Sequence, residues 1–125
     1  MATALGARAP SSGTWMQMFC ELADSLPYAL ILTDMKSPGL PMAYCNPAMV
    51  KLTGYSKAQS EGRNCRFLQG KRTEAAAVRA MVSAIRSAKA TTVRVTNYTQ
   101  NKTQFMNVLT LQPVHDSDGE YRFSI

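Results

Sequence analysis

Two runs with period-two patterning, Thr91–Thr99 and Gln104–Val114, joined by the polar turn QNKT, constrain this chain more than any other feature. Rich in β-branched and aromatic residues, they predict the arms of a long antiparallel hairpin. Such a hairpin must lay one face on a core. A further turn at Asp118-Gly119 leads into a last strand, Tyr121–Ile125, so the chain closes as a meander. Upstream, Ala29–Thr33 and Met42–Cys45 read as two more strands across the loop MKSPGLP, punctuated by Pro and Gly.

Helical signals fill the remainder. Trp15, Met18, Phe19, Leu22 and Leu26 follow helical spacing and predict an amphipathic helix over 14–26. Asn46-Pro47 has the form of an N-cap and first helical proline, starting a short helix through Leu52. Ser56 and Gln59 have capping-box spacing for a single turn that ends at Gly62. Thr73 is placed to cap a longer helix with the apolar stripe Val78, Met81, Val82 and Ile85. Helices between a strand pair and a final meander imply an α+β fold, a five-stranded antiparallel sheet with short helices on one face. Residues 1–13 read as a loose lead-in, 14–26 as a flanking helix, and 27–125 as the core, its last strand cut at Ile125.

Composition narrows the function classes. With 14 Lys and Arg against 8 Asp and Glu the net charge is +6, which favours anionic partners. Lys51, Lys57, Arg79, Arg86, Lys89 and Arg94 are scattered, which argues against a nucleic-acid stripe. Arg63, Arg66, Lys71 and Arg72 are concentrated, and a cluster that small suits one phosphate-bearing ligand. No apolar run reaches the ~20 residues of a membrane helix. The three cysteines (Cys20, Cys45, Cys65) form no CxxC pair and His115 is the only histidine. A disulfide framework and a zinc site are therefore not expected, and the compartment reads as reducing, intracellular and soluble, cytoplasmic or nuclear. There is no Ser-His-Asp set, paired carboxylate site or glycine-rich phosphate loop for hydrolase or kinase chemistry.

The candidate chemistry lies in GRNCRFLQG, Gly62–Gly70. It puts Cys65 between Arg63 and Arg66, with side-chain amides at Asn64 and Gln69. A lone Cys is ordinarily a packing residue. Among cations and amides it is also the setting of a thiol held against a polar, anionic ligand. Cys20 and Cys45 have no cationic neighbours in the sequence and read as packing. Asn97 and Asn107, on the two hairpin arms, share one face with Val93, Val95, Phe105, Leu109 and Leu111. They sit opposite each other if the loop is three residues centred on Lys102. Carboxamides in an apolar face cost ~1–3 kcal/mol each when unsatisfied. Two readings stay open: the pair bonds each other or a water, or it meets a flat ligand edge that alternates donors and acceptors.

The segments LTGYSKAQSEGRNCRFLQG (Leu52–Gly70) and TNYTQNKTQFMNVLTLQPV (Thr96–Val114) resemble a LOV domain, the blue-light-sensing branch of the PAS fold. The similarity runs from about Leu26 onward. It implies a photoreceptor domain, not a turnover enzyme, that holds FMN non-covalently in preference to riboflavin or FAD. Blue light then makes Cys65 add reversibly to flavin carbon 4a. By the same resemblance Asn64 and Gln69 contact the ribityl chain and ring, and Arg66 the phosphate. Asn97 and Asn107 bond the pyrimidine edge, while Thr33, Leu68, Leu109 and Leu111 line the ring pocket. An output domain, a partner protein or a second copy is expected on the sheet face, which the N-terminal helix also contacts.

Several positions depart from the family pattern. A second phosphate-binding arginine falls on Val82, leaving Arg66 with Lys71, Arg72, Arg79 or Arg86 as helpers. The Trp usual before the second Asn is Met106, and Asn101 stands in for the turn Gly as the left-handed residue. No Gln follows Gln112, so the family's signalling glutamine is expected beyond Ile125 or replaced by another route. Two rival classes remain: a flavin- or ligand-binding PAS module without photochemistry, which would not need Cys65, and a basic interaction module without cofactor.

Overall fold

Helix α1 (Gly13–Asp24) begins the computed structural model, which describes residues 13–125. Except for Gly13, the expected lead-in lies outside the described residues. Strands β1 (Ile31–Asp34) and β2 (Met42–Cys45) follow, then helices α2 (Pro47–Thr53) and α3 (Lys57–Ser60). A 3₁₀ turn (Cys65–Leu68) precedes α4 (Ala75–Ser87), and β3 (Thr91–Tyr98) pairs β4 (Gln104–Leu111). Short strands β5 (Pro113–His115) and β6 (Tyr121–Ser124) close the chain.

The ladders run antiparallel in the order β2-β1-β6-β5, with β3-β4 as a second pair. The long second arm of the hairpin is thus divided at Gln112. That residue continues the ladder, its N–H and C=O both bonding Ile125 at 2.9 Å. One strand therefore pairs β3 along its first half and β6 along its second. This is the expected α+β, PAS-like sheet, with the fourth of the five expected strands broken into β4 and β5.

Local chemistry explains the short elements. Asn46 caps α2 by accepting from Met49 N–H, with Pro47 at the first helical position. Gly54 ends that helix at φ 81°, a conformation that favours glycine. The capping box of α3 is complete, with Ser56 and Gln59 bonding each other's backbone. The hairpin loop is three residues centred on Asn101, because Thr99 N–H bonds Thr103 C=O at 2.8 Å. Lys102, not Asn101, takes the left-handed conformation at φ 70°. Its N–H bonds Thr99 C=O at 2.9 Å, a tight turn closed by a left-handed residue. Asn101 instead bonds Thr99 and Thr103 through its side chain.

Among the described residues three separate apolar clusters flank the sheet. On the outer face Met16, Cys20 and Ala23 of α1 pack on Leu32, Tyr44 and Phe123. The buried face of α1 therefore differs from the expected stripe: Trp15, Met18, Leu22 and Leu26 stay exposed. Small side chains at Cys20 and Ala23 let the helix approach the sheet, which leaves the larger ones at the rim. Helix α1 covers β1, β2 and β6, while Met106 and Val108 on the hairpin's outer face remain uncovered. On the inner face, Met42, Cys45, Met49 and Leu68 form one cluster. Met81, Val93 and Val95 form another. The helix stripe of α4 is shifted accordingly, with Met81 and Ala84 buried and Val82 40% exposed. Thr73 does not cap α4; Glu74 holds the N-cap position. No helix among the described residues is long and apolar enough to cross a membrane.

Candidate functional site

The inner wall of the hairpin is built by side-chain alternation. Val93, Val95 and Asn97 on β3 face inward and are buried. Phe105, Asn107, Leu109 and Leu111 on β4 share that face yet are only half-buried. The register pairs Asn97 with Phe105 and Val95 with Asn107. Asn97 and Asn107 are therefore diagonal neighbours, not directly opposed, because the loop centre is one residue earlier than Lys102. They still meet: Asn107 Nδ2 donates to Asn97 Oδ1 at 2.9 Å. Asn97 Nδ2 donates in turn to Thr96 C=O at 3.3 Å. Among the described residues no donor reaches Asn107 Oδ1.

Cys65 opens the 3₁₀ turn and packs at the margin of the Met42–Cys45–Met49–Leu68 cluster. Burial pushes its thiol above the ordinary value, against smaller opposing effects of a backbone hydrogen bond and the Arg66 guanidinium. The side chain is half-buried by surface area, so it is reachable and still protonated at neutral pH. Of the two flanking arginines only Arg66 acts on the thiol. Arg63 lies over the Phe67 ring at 3.8 Å from its centroid and donates through Nε to Gln59 C=O at 2.8 Å. Cys20 and Cys45 are buried packing residues, as expected.

The other candidates divide by how far the protein uses them itself. Asn64 is committed: Nδ2 donates to Gly39 C=O and Leu40 C=O, both at 3.1 Å, and Oδ1 caps the 3₁₀ turn at Arg66 N–H. Its role in the fold is thus to tie the thiol segment to the β1–β2 loop. The Gln69 carboxamide and the exposed Arg66 guanidinium have no hydrogen-bond or ionic partner among the described residues. Thr33 points inward from β1, in register with Met42 and Ser124. Leu68 is buried beside Cys65, and Val82 stands at the solvent side of α4 with Arg79 and Arg86 a turn away. Lys71, Arg72, Arg79 and Arg86 are all exposed.

Sequence reasoning missed two members of this neighbourhood. Tyr98 packs its ring against Gly70 and accepts from Arg72 N–H at 2.9 Å. Glu74 receives both the N–H and the hydroxyl of Thr96. The pairing of the glycine that ends the motif with an aromatic just after Asn97 was the available signal for Tyr98. No hydrophobic or motif pattern marked Glu74.

The inner wall is amphipathic in the manner of a site for a flat aromatic ligand. It offers an apolar, half-buried face and an amide pair with spare capacity, while the Gly62–Gly70 segment carries a free amide, a neutral thiol and an uncommitted cation. A flat ligand with a polar edge would engage these groups without rearranging any hydrogen bond described above.

The PAS domain family profile matches residues 27–125. The blue-light-activated histidine kinase of Brucella abortus is 42% identical over 90 residues, 72% of this chain and 18% of that protein. The kinase of the same description from Rhizobium johnstonii is 42% identical over 91 residues, 73% of this chain and 26% of that protein. The chain therefore spans about a fifth to a quarter of these curated relatives. Among solved structures, the LOV domain of an Erythrobacter litoralis blue-light-activated histidine kinase superposes with a TM-score of 0.76 at 36% identity, covering 79% of this chain and 91% of that one. The dark structure of the Aureochrome1 LOV photoreceptor gives a TM-score of 0.76 at 36% identity, covering 83% and 73%. A PAS match that runs from residue 27 to Ile125, with a LOV domain overlaid almost end to end, makes this chain a member of the PAS family and, within it, a LOV domain.

Proposed function

We propose that this domain senses blue light through a non-covalently held FMN, with Cys65 as the residue that reacts. The observation that carries the reading is a reachable but protonated thiol on a segment whose C-terminal end, Gly70–Glu74, is fastened to β3, the strand that bears Asn97 of the amide pair. When bound, FMN would supply the blue absorption and a ring C=N bond at carbon 4a, and Cys65 would supply the S–H that can add across it reversibly.

Each residue then has a stated task. Asn97 and Asn107 orient the ring through its pyrimidine edge, and their mutual bond sets the pair's geometry beforehand. Gln69 serves the ribityl chain and ring. Thr33, Leu68, Leu109 and Leu111 exclude water around the ring. Arg66, exposed and uncommitted, binds the phosphate. Val82 supplies no charge there, so discrimination of FMN from riboflavin rests chiefly on Arg66. Asn64 serves indirectly by fixing the Cys65 segment.

The curated relatives are histidine kinases, and a kinase or similar output module is the partner we propose. The uncovered outer face of the hairpin at Met106 and Val108 is its contact surface.

Replacing Cys65 by Ala tests the chemistry. The variant is expected to retain the yellow flavin and to show no light-induced loss of its blue bands. Bleaching that persists in the variant assigns the reaction to another residue.

A further inference from the structure

The thiol sits on a single 3₁₀ turn, and a turn of that length holds no fixed position by its own hydrogen bonds. Its placement depends on what grips its ends. The N-terminal end is held by Asn64 on the β1–β2 loop. The C-terminal end runs into Gly70–Glu74, and that segment is fastened to the free edge of β3.

Hydrogen bonds within the segment and from it to β3 make the fastening. Gly70 N–H donates to Thr73 Oγ1 at 2.9 Å, and Thr73 Oγ1 donates to Thr96 C=O at 2.6 Å. Glu74 accepts from Thr96 N–H at 2.7 Å. Arg72 N–H donates to Tyr98 Oη at 2.9 Å. The Tyr98 ring also closes on the backbone of Gly70. A Cβ there would lie 2.4 Å from Tyr98 Cε1 and 2.5 Å from Cδ1. The phenol oxygen is anchored, so the ring cannot swing aside without losing its bond to Arg72. Glycine is required at position 70 for this close approach, not for an unusual backbone angle.

Thr96 and Tyr98 flank Asn97. Alternation along β3 sends their side chains away from the inner face on which Asn97 lies. The strand residue that reads the ligand edge is thus covalently adjacent to the residues that fasten the thiol segment. We propose that Tyr98, seated on Gly70, is a positioning residue that sets the Cys65 thiol relative to the Asn97–Asn107 amide pair. It touches neither thiol nor ligand, and its effect passes through Gly70 to the 3₁₀ turn. The inference rests on the flavin–thiol reading above.

The test compares wild type with Gly70→Ala, Tyr98→Leu and Tyr98→Phe as purified holoproteins. For each, the dark visible spectrum, the unfolding midpoint and the blue-band bleach at a fixed photon dose are recorded. Gly70→Ala and Tyr98→Leu are expected to stay yellow yet bleach about tenfold less, since small misplacements of reacting groups carry rate losses of that order or larger. Tyr98→Phe keeps the ring over Gly70 and is expected to bleach within about twofold of wild type. A folded, yellow Gly70→Ala protein that bleaches as wild type overturns the proposal, and it carries the test alone if Tyr98→Leu does not fold. A bleach that tracks the unfolding midpoint in all three variants overturns it as well, because the effect is then merely structural. A wild type that takes up no flavin overturns it together with the reading on which it rests.

Discussion

Replacing Asn107 by Leu separates the two roles an amide pair can have in an apolar wall. In the ligand-free protein the change removes one hydrogen bond of 2.9 Å and leaves Asn97 Oδ1 without its donor. Asn97 is 5% exposed, so its orphaned oxygen costs about 1–3 kcal/mol. The leucine that replaces Asn107 gains roughly 1 kcal/mol by half-burial of its side chain. The apoprotein should therefore lose about 1 kcal/mol. In the flavin complex the same change forfeits a donor and an acceptor to the ring edge, each worth roughly 1–1.5 kcal/mol net. Affinity should fall on the order of 30- to 100-fold. Urea unfolding of the apoprotein gives the first quantity, and quenching of flavin fluorescence on titration gives the second. An apoprotein that loses more than about 3 kcal/mol while flavin affinity is unchanged refutes the reasoning. The amides would then exist for each other.

Three further predictions follow from polar groups elsewhere. Asn46 is fully buried and makes four side-chain hydrogen bonds, accepting from Leu30 and Met49 N–H and donating to Ala23 and Tyr28 C=O. Asn46→Ala is expected to cost about 3–5 kcal/mol and to lower Tm by on the order of 10 °C or more in a thermal melt. A loss near 1 kcal/mol would mean that only its cap is felt. Ser124 Oγ is buried without a partner among the described residues, so Ser124→Ala should stabilise the apoprotein by about 1 kcal/mol in urea, and a destabilisation would reveal an unseen partner. Both Asp34 and Glu74 titrate below their ordinary values. For Asp34, burial opposes this but is outweighed by bonds from Lys36 N–H, Ser37 and Arg122; for Glu74 the cause is the Thr96 N–H and hydroxyl. A lowered folded value gives stability that is present above about pH 4 and lost as pH falls through the folded values. Urea midpoints at descending pH should show that loss, and an Asp34→Asn, Glu74→Gln double variant should show less of it. An equal fall in the double variant would rule these two carboxylates out.

Legibility in the sequence followed the range of the interaction. The capping box at Ser56 and Gln59 and the Asn46-Pro47 helix start are local chemistry and could be read directly. The shared face of Asn97 and Asn107 follows from strand alternation. Their exact register does not, because it depends on which loop residue turns left-handed. Lys102 and not Asn101 did so, since Asn101's carboxamide is held by Thr99 and Thr103. The buried face of α1 was misjudged because hydrophobicity pointed to Met18 and Leu22, whereas close packing on Tyr44 selected Cys20 and Ala23. Thr73 was wrong as a cap: its hydroxyl reaches Thr96, 23 residues away, a contact no local pattern announces. Asn64 likewise turned to the β1–β2 loop, 24 and 25 residues upstream. At the candidate site, the motif singled out Cys65 and the amides beside it in sequence, while the neutral state of the thiol came from burial, which is a property of the fold.

The visible absorption spectrum of the purified domain, in the dark and after a blue flash, tests the central claim most directly. The account predicts a yellow protein whose blue bands bleach to a near-ultraviolet band and recover in the dark. A protein that stays colourless after incubation with FMN contradicts flavin binding. A yellow protein with no bleach contradicts the reaction at Cys65.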